Sequence, residues 1–288
     1  MLRGWWRKGR EKDPRGLIEK LCRCRGRLPS SLRKALAKLG AGEGARVILE
    51  CWPRLGPEVR REVKALACGK DWVGEWLQML KGGGAKERAL AAEILGVLQV
   101  DGAVALLLEA LADGEEGVQM AAAAALASLK DPRCLEPLAL ALAEPQRIPP
   151  ARVAQVMAAF GRQSIPYLLP SVRTGPEEVA VRAVEILGNL GEAEVLPVLG
   201  EGLQASSPAL RAAAAQALGD TGLREAAGYL LPALGDPEPK VRAAAALSLG
   251  RLRCREARHV LEKARDDPAW EVRISAEAAL KAVGQGPV

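Results

Sequence analysis

The sequence predicts an all-α protein: a right-handed α-solenoid (superhelix) of antiparallel helix pairs stacked at about 31 residues per repeat. Three observations lead there. Val179, Leu210, Val241 and Val272 lie 31 residues apart, and Leu187, Leu218, Leu249 and Leu280 keep the same step. The phrases LRAAAAQALGD, VRAAAALSLGR and VRISAEAALKA occupy that frame. Apolar residues make up 49% of the 288 residues but aromatics only 3%, so Ala, Leu and Val must build the core. Ala and Leu favour helix over strand. A fixed period of this size outranks local signals, because each unit buries its apolar face against the next.

Taken in order, residues 1–13, MLRGWWRKGREKD, read as a basic mobile arm, too charged and Gly-interrupted to pack alone. Asp13-Pro14 reads as a helix start, and Leu17, Ile18 and Leu21 share one face. Residues 14–27 are therefore expected to hold a capping helix over the end of the array. Residues 28–288 read as the solenoid, eight helix pairs and a closing helix.

A column of large apolar residues runs through that span: Leu39, Leu66, Leu95, Leu126, Phe160, Leu187, Leu218, Leu249 and Leu280. The residues that follow are Gly40, Ala67, Gly96, Ala127, Gly161, Gly188, Gly219, Gly250 and Lys281. A Gly inside a helix costs about 1 kcal/mol against Ala. A small residue recurring at one helical position thus implies that another backbone passes close by. Lys281 breaks the column, as a last repeat would.

Each unit opens with a first helix such as Val241–Leu252, where Val241, Ala245, Leu249 and Leu252 share a face. Second helices such as Ala193–Gln204 and Arg255–Arg265 follow, with Pro137, Pro166 and Pro197 near their starts. The stretch 144–175 is irregular. Its loop Glu144–Pro150 is proline-rich, and the column steps on either side become 34 and 27. A local bend is expected there, without a domain boundary.

Charge is unevenly placed. Residues 1–27 hold ten Lys/Arg against Glu11, Asp13 and Glu19, a net +7, whereas the whole chain carries +6. The rest of the chain is therefore close to neutral, and residues 1–27 have the balance of an interaction tail. Trp5, Trp6, Arg7, Lys8 and Arg10 are candidates for contact with an acidic surface, nucleic acid or anionic membrane. Trp52 and Trp72 are further candidate partner-binding residues if exposed. Trp76, one turn beyond Trp72, reads as core.

None of the six cysteines is spaced C-x-x-C, no apolar run follows the basic start, and no window of 18 residues is apolar and uncharged. A cytoplasmic protein with reduced thiols is expected, peripheral to a membrane if the arm binds one.

The phrase D-P-x-x-x-V-R-x-A-A-A-x-A-L-G is matched at Asp236, Pro237, Val241, Arg242, Ala244, Ala245, Leu249 and Gly250. It recurs less fully at Asp267–Leu280 and Leu210–Gly219. It resembles the short HEAT-like repeat of the phycobilin-lyase type, which is armadillo-like in architecture. Asp236 and Asp267 precede Arg242 and Arg273 by six residues, and the resemblance implies that such Asp–Arg pairs staple neighbouring units, so Asp236, Arg242, Asp267 and Arg273 are expected to form a structural ladder. Arg33, Arg60 and Arg211 stand in the same column; a line of arginines could bind phosphates, but the structural pairing is the better reading.

The resemblance also implies a scaffold or adaptor without enzymatic activity that holds a protein partner along the concave face. Two alternatives stand beside it: attachment to an anionic surface through residues 1–27, and a bilin lyase or lyase-chaperone-like activity. Some members of this repeat class are iron hydroxylases whose sites resemble repeated His-Glu pairs. His259 is the only histidine here and cannot supply them. No phosphate loop, nucleophile elbow or His/Cys/Asp cluster is present. No catalytic residue, metal, cofactor or small-molecule substrate is therefore expected. In arrays of the kind this sequence resembles the second helices line the inner, concave curve; their equivalent positions here read Ala105, Glu136, Pro197, Gly228 and His259, without a repeating residue type of the kind that RNA-reading repeats use.

Overall fold

The computed structural model describes residues 14–24 and 26–284, and among them all regular structure is helical. The arm residues 1–13, with Trp5, Trp6, Arg7, Lys8 and Arg10, lie outside the described residues. The chain divides into two compact units, one ending at Asp131 and the other beginning at Pro132.

The first unit holds α1 (Pro14–Cys22), α2 (Ser30–Leu36), α3 (Ala41–Cys51), α4 (Pro57–Gly69), α5 (Trp72–Gly82), α6 (Ala85–Val97), α7 (Val104–Ala110) and α8 (Glu116–Leu129). Ile18 and Leu21 of α1 are buried, and that helix packs on α2 and α3. The second unit holds α9 (Leu135–Ala141), α10 (Pro150–Phe160), α11 (Ile165–Thr174), α12 (Glu177–Leu190), α13 (Leu196–Gly202), α14 (Pro208–Asp220), α15 (Ala227–Ala233), α16 (Pro239–Arg251), α17 (Arg258–Ala264) and α18 (Trp270–Gly284). The result is an α-solenoid of stacked helix pairs.

The long first helices stack on one another through their glycines: α6 on α8, and α12 on α14, α16 and α18 in turn. A β-carbon at Gly96 would lie 2.6 Å from Ala125 Cα, at Gly188 2.7 Å from Ala217 Cα, and at Gly250 2.6 Å from Ala279 Cα. At Gly219 it would meet Ser248 Oγ at 2.5 Å. Each glycine thus touches the small residue 29 positions on, so the backbones pass at a distance that no larger side chain allows. Between these helices the core is Ala, Val and Leu; Val241, Ala245, Leu249 and Leu252 are all buried.

Near the start the column departs from the sequence reading. Leu36 is fully buried, while Leu39 lies past the end of α2 and is half-buried. In α4 the buried face is Val59, Val63 and Ala67, and Leu66 is half-buried. Here α3 packs against α6. Trp72 of α5 fills the space beside α3, where a β-carbon on Gly44 would meet its ring at 2.8 Å. A bulky indole in place of small residues changes the spacing that the 31-residue frame assumes.

The second helices are shorter than the sequence suggests. Ala193–Val195 and Arg255–Ala257 are 3-10 turns, and the α-helices after them run for seven residues each. Tight i→i+3 bonding lets the chain reverse quickly out of the first helix. The reversal itself uses left-handed backbone at Gln99, Lys130, Gly191, Gly222 and Arg253, with φ between 49° and 69°.

Candidate functional site

The second helices of the second unit present a buried row and an exposed row. Leu168, Leu199, Leu230 and Leu261, at a strict step of 31, are all fully buried and fix these helices against the core. The residues just before them are Tyr167, Val198, Tyr229 and Val260. Val198 is buried, but Tyr167, Tyr229 and Val260 are 36%, 38% and 36% exposed. Tyr229 is held in place by its neighbour: a β-carbon on Gly200 of α13 would lie 2.5 Å from the Tyr229 ring. The absent side chain at Gly200 is what lets the ring approach α13 so closely. Together these residues form a ledge of amphipathic side chains on rigid helices, the kind of surface on which binding energy concentrates.

Between α15 and the turn that follows α16 lies an open groove of about 490 Å³. Ala227, Gly228, Leu231 and Leu252 form its apolar walls, and Arg224, Arg253, Arg255 and Glu256 its charged rim. Hydrogen bonding from backbone amide and from the Cys254 thiol, with Arg224 and Arg255 nearby, holds the Glu256 carboxyl below its usual range. His259 is exposed on α17.

The arginines of the repeat phrase are engaged elsewhere. Arg211 Nε and Nη2 donate to Asp236 Oδ2 and Oδ1 at 2.8 and 3.0 Å. Arg242 forms the same fork with Asp267, both bonds at 2.8 Å. Arg88 forms it with Asp113 at 2.6 and 2.7 Å. In each pair the Asp lies 25 residues beyond the Arg, in the loop before the next first helix. The third nitrogen, Nη1, donates to backbone carbonyls of the preceding loop, as from Arg242 to Asp236 O at 2.8 Å. Asp236 and Asp267 therefore stand six residues before an arginine that takes their carbonyl, while an earlier arginine takes their carboxylate. This corrects a pairing read from the six-residue spacing alone. Arg273 repeats the carbonyl half, donating to Asp267 O and Pro268 O. Guanidinium hydrogen bonds hold the carboxyls of Asp113, Asp236 and Asp267 below their usual range. The forks are bidentate and largely shielded from solvent, so these donors are taken and do not form a phosphate track.

Other column members differ. Arg33 pairs with Glu62 at 2.7 Å, and Arg60 donates to Trp52 O at 3.2 and 2.9 Å. Trp52 is half-buried beneath the Arg60 guanidinium, 5.3 Å from the ring centroid. Trp72 is not a surface residue. It is buried at 2% exposure, tilted against Trp76 with centroids 6.0 Å apart, so the expectation of a Trp72 contact is corrected. Trp76 is also buried, and its Nε1 donates to Ala41 O at 2.9 Å.

Sequence reasoning missed two features that the period contains. Arg88 and Asp113 are separated by the same 25 residues as the later pairs. The row at 167, 198, 229 and 260, exposed at all but Val198, keeps the 31-residue step, one position beyond Pro197, Gly228 and His259.

Among the described residues, no three His, Cys, Asp or Glu side chains are grouped to hold a metal ion, and no helix is long and apolar enough to cross a membrane.

No curated protein matches this sequence. Among solved structures, human deoxyhypusine hydroxylase is similar over 94% of this chain and 98% of its own, at 21% identity and a TM-score of 0.39. A designed armadillo repeat protein matches over 73% of this chain and 99% of its own, at 20% identity and a TM-score of 0.37. Kap121p, in a structure bound to Pho4p, matches over 94% of this chain, at 13% identity and a TM-score of 0.50. This chain spans only 35% of Kap121p's length. At these identities the likenesses concern the fold alone. The model of HEAT repeats matches residues 74–158, 165–237 and 198–281, most of the chain, and with the Arg–Asp staples and glycine contacts at the repeat period it places the protein in the HEAT-repeat family.

Proposed function

We propose that this protein is a non-enzymatic scaffold that holds a protein partner along its second helices, the side the sequence reading assigns to the concave face. One observation carries this reading: the exposed row of Tyr167, Tyr229 and Val260 at a single repeat position. Packing within the chain does not call for two exposed tyrosines there, because the Leu row beneath is already buried. Tyr offers a large contact area at low entropic cost, which suits a binding surface. HEAT and armadillo-like solenoids are typical protein-interaction scaffolds, and Kap121p in the structure above holds a protein, Pho4p.

The test is affinity capture with the full chain and with a Tyr167→Glu, Tyr229→Glu chain, quantified by mass spectrometry. The doubly substituted chain should melt as the original does and should lose a defined set of captured proteins. Retention of every captured protein would remove the ledge from the account.

A second attachment is supported by the charge of residues 1–27. Arg3, Arg7, Lys8 and Arg10, with Trp5 and Trp6, suit an acidic surface, at about 1 kcal/mol for each basic residue near an anionic membrane. Deleting residues 1–13 should abolish salt-sensitive binding to anionic vesicles or single-stranded nucleic acid. An intact chain that binds neither at low salt would eliminate this attachment.

A further inference from the structure

We infer that the groove between α15 and the turn after α16 binds an acidic side chain of a protein partner, its carboxylate held by Arg224 and Arg253. The inference rests on the ledge reading and specifies the chemistry of the partner.

The charge comes first. Arg224, Arg253 and Arg255 rim the groove against the single carboxylate of Glu256, so the rim keeps a net positive charge. Residues 251–265 hold six Lys/Arg against two Asp/Glu, although residues 132–288 as a whole are balanced at 18 of each. Basic charge therefore gathers around this groove, although Arg251 and Arg258 are paired with Asp220 and Glu262. Binding to a nucleic-acid backbone grows with the number of phosphates neutralised, and a neutral body with one basic groove is a poor match for that. One or two carboxylates are a good match, and complementary charge would also fix the partner's register.

The shape agrees. The walls are apolar, and at Gly228 a β-carbon would meet no atom within 4 Å, so the floor beside Tyr229 is open. A carboxylate entering between the guanidiniums would bring its own chain against Leu231 and Leu252. Tyr229 on α15 and Val260 on α17, the helix that follows the turn, offer apolar contact to its neighbours.

The backbone supplies an independent observation. Arg253 has φ 49°, in the left-handed region where the two preceding repeats place Gly222 and Gly191. Gln99 and Lys130 show that the turn accepts other residues. Even so, a non-glycine residue is disfavoured in this conformation, and Arg253 carries the disfavoured backbone with its side chain on the groove rim.

The experiment uses fluorescence anisotropy with the full chain and three labelled probes. These are a dodecapeptide of interspersed Glu, Leu and Ala, its twin with Gln for every Glu, and a single-stranded DNA dodecamer. The acidic peptide should bind, the Gln twin should not, and any binding of the DNA, which the basic residues 1–27 can supply, should not change in Arg253→Gly. Arg253→Gly and Arg224→Ala should each weaken the acidic peptide about tenfold, close to 1.4 kcal/mol. Glycine adopts the left-handed turn freely, so Arg253→Gly should melt no lower than the original chain, and its loss of binding cannot be laid to unfolding. Equal binding of both peptides, undiminished binding of the acidic peptide by Arg253→Gly, or a loss of DNA binding in Arg253→Gly as large as its loss of peptide binding would each overturn the inference. If the acidic peptide fails while the tyrosine substitutions still release captured proteins, the groove assignment falls and the ledge stands. If neither responds, both fall.

Discussion

Replacing Gly188 by Ala should destabilise the protein although Ala is the better helix former. A β-carbon at Gly188 would lie 2.7 Å from both Ala217 Cα and Ala217 Cβ and 2.8 Å from Ala217 O. Carbon atoms sit best at about 3.5–4.0 Å, so each contact is too short by roughly 1 Å. Two of the three atoms belong to backbone and cannot rotate aside. Helices α12 and α14 would have to part, which loosens the buried faces around Ala183, Leu187, Ala214 and Leu218. Overpacking of this kind costs about 1–3 kcal/mol, and backbone contact places it near the top of that range. Helix propensity returns about 1 kcal/mol. The expected net loss is about 2 kcal/mol. Gly228 of α15 supplies the control, because its β-carbon would meet nothing within 4 Å. Gly228→Ala should leave stability unchanged or raise it by up to about 1 kcal/mol. Urea denaturation followed by far-UV circular dichroism compares the two at equal concentration. A Gly188→Ala chain as stable as the original, or two variants shifted alike, would refute the close approach of the first helices.

Three further outcomes follow from the same structure. Asp113, Asp236 and Asp267 have carboxyls lowered below their ordinary value of 3.8, first by Arg88, Arg211 and Arg242. A carboxyl whose pKa falls on folding contributes stability that is fully present above its unfolded value and is lost as pH falls through its folded value. The melting temperature should thus decline below about pH 4, less steeply in an Asp236→Asn chain; an equally steep acid decline in that chain would detach the staple from the effect. Burial, and secondarily Cys22, pushes the Cys51 thiol up to about 12, whereas Cys68 is exposed. At pH 8 a thiol reagent should label Cys68 in the native chain and reach Cys51 only after unfolding, and rapid native labelling of Cys51 would contradict its placement. Trp72→Ala should cost about 3–5 kcal/mol by opening a cavity beside Gly44 and Trp76, and a melting temperature close to that of the original chain would return Trp72 to the surface.

The repeat was legible because its period shows twice, in the Leu column and in the small residue after it. Gly188, Gly219 and Gly250 have no reason to sit inside helices unless another backbone passes close. The partner of each was not legible, since the 29-residue offset from Gly to Ala or Ser depends on how far one helix slides along the next. The column failed at Leu39 and Leu66 because α2 is short and Trp72, not a small residue, sets the spacing of α3. The ladder residues were found while their pairing was not: the sequence offers a six-residue and a 25-residue spacing, and only the fork on Asp267 distinguishes them. The exposed Tyr row kept the period but stood one position from the one read. The groove between α15 and the turn after α16 had no sequence signature, for it is made by a 3-10 turn, a left-handed Arg253 and an open Gly228.

The central claim is that the second helices hold a protein partner, and site-specific photocross-linking tests it most directly. A benzophenone amino acid is placed at Tyr229 or, separately, at Leu247, which is exposed on the first helix α16. Both full-length chains are irradiated in the native lysate, and the adducts are identified by mass spectrometry. The expected result is a discrete protein adduct from position 229, absent from position 247 and lost when Tyr167 is also changed to Glu. Adducts from position 247 alone, or none from position 229, would contradict the account.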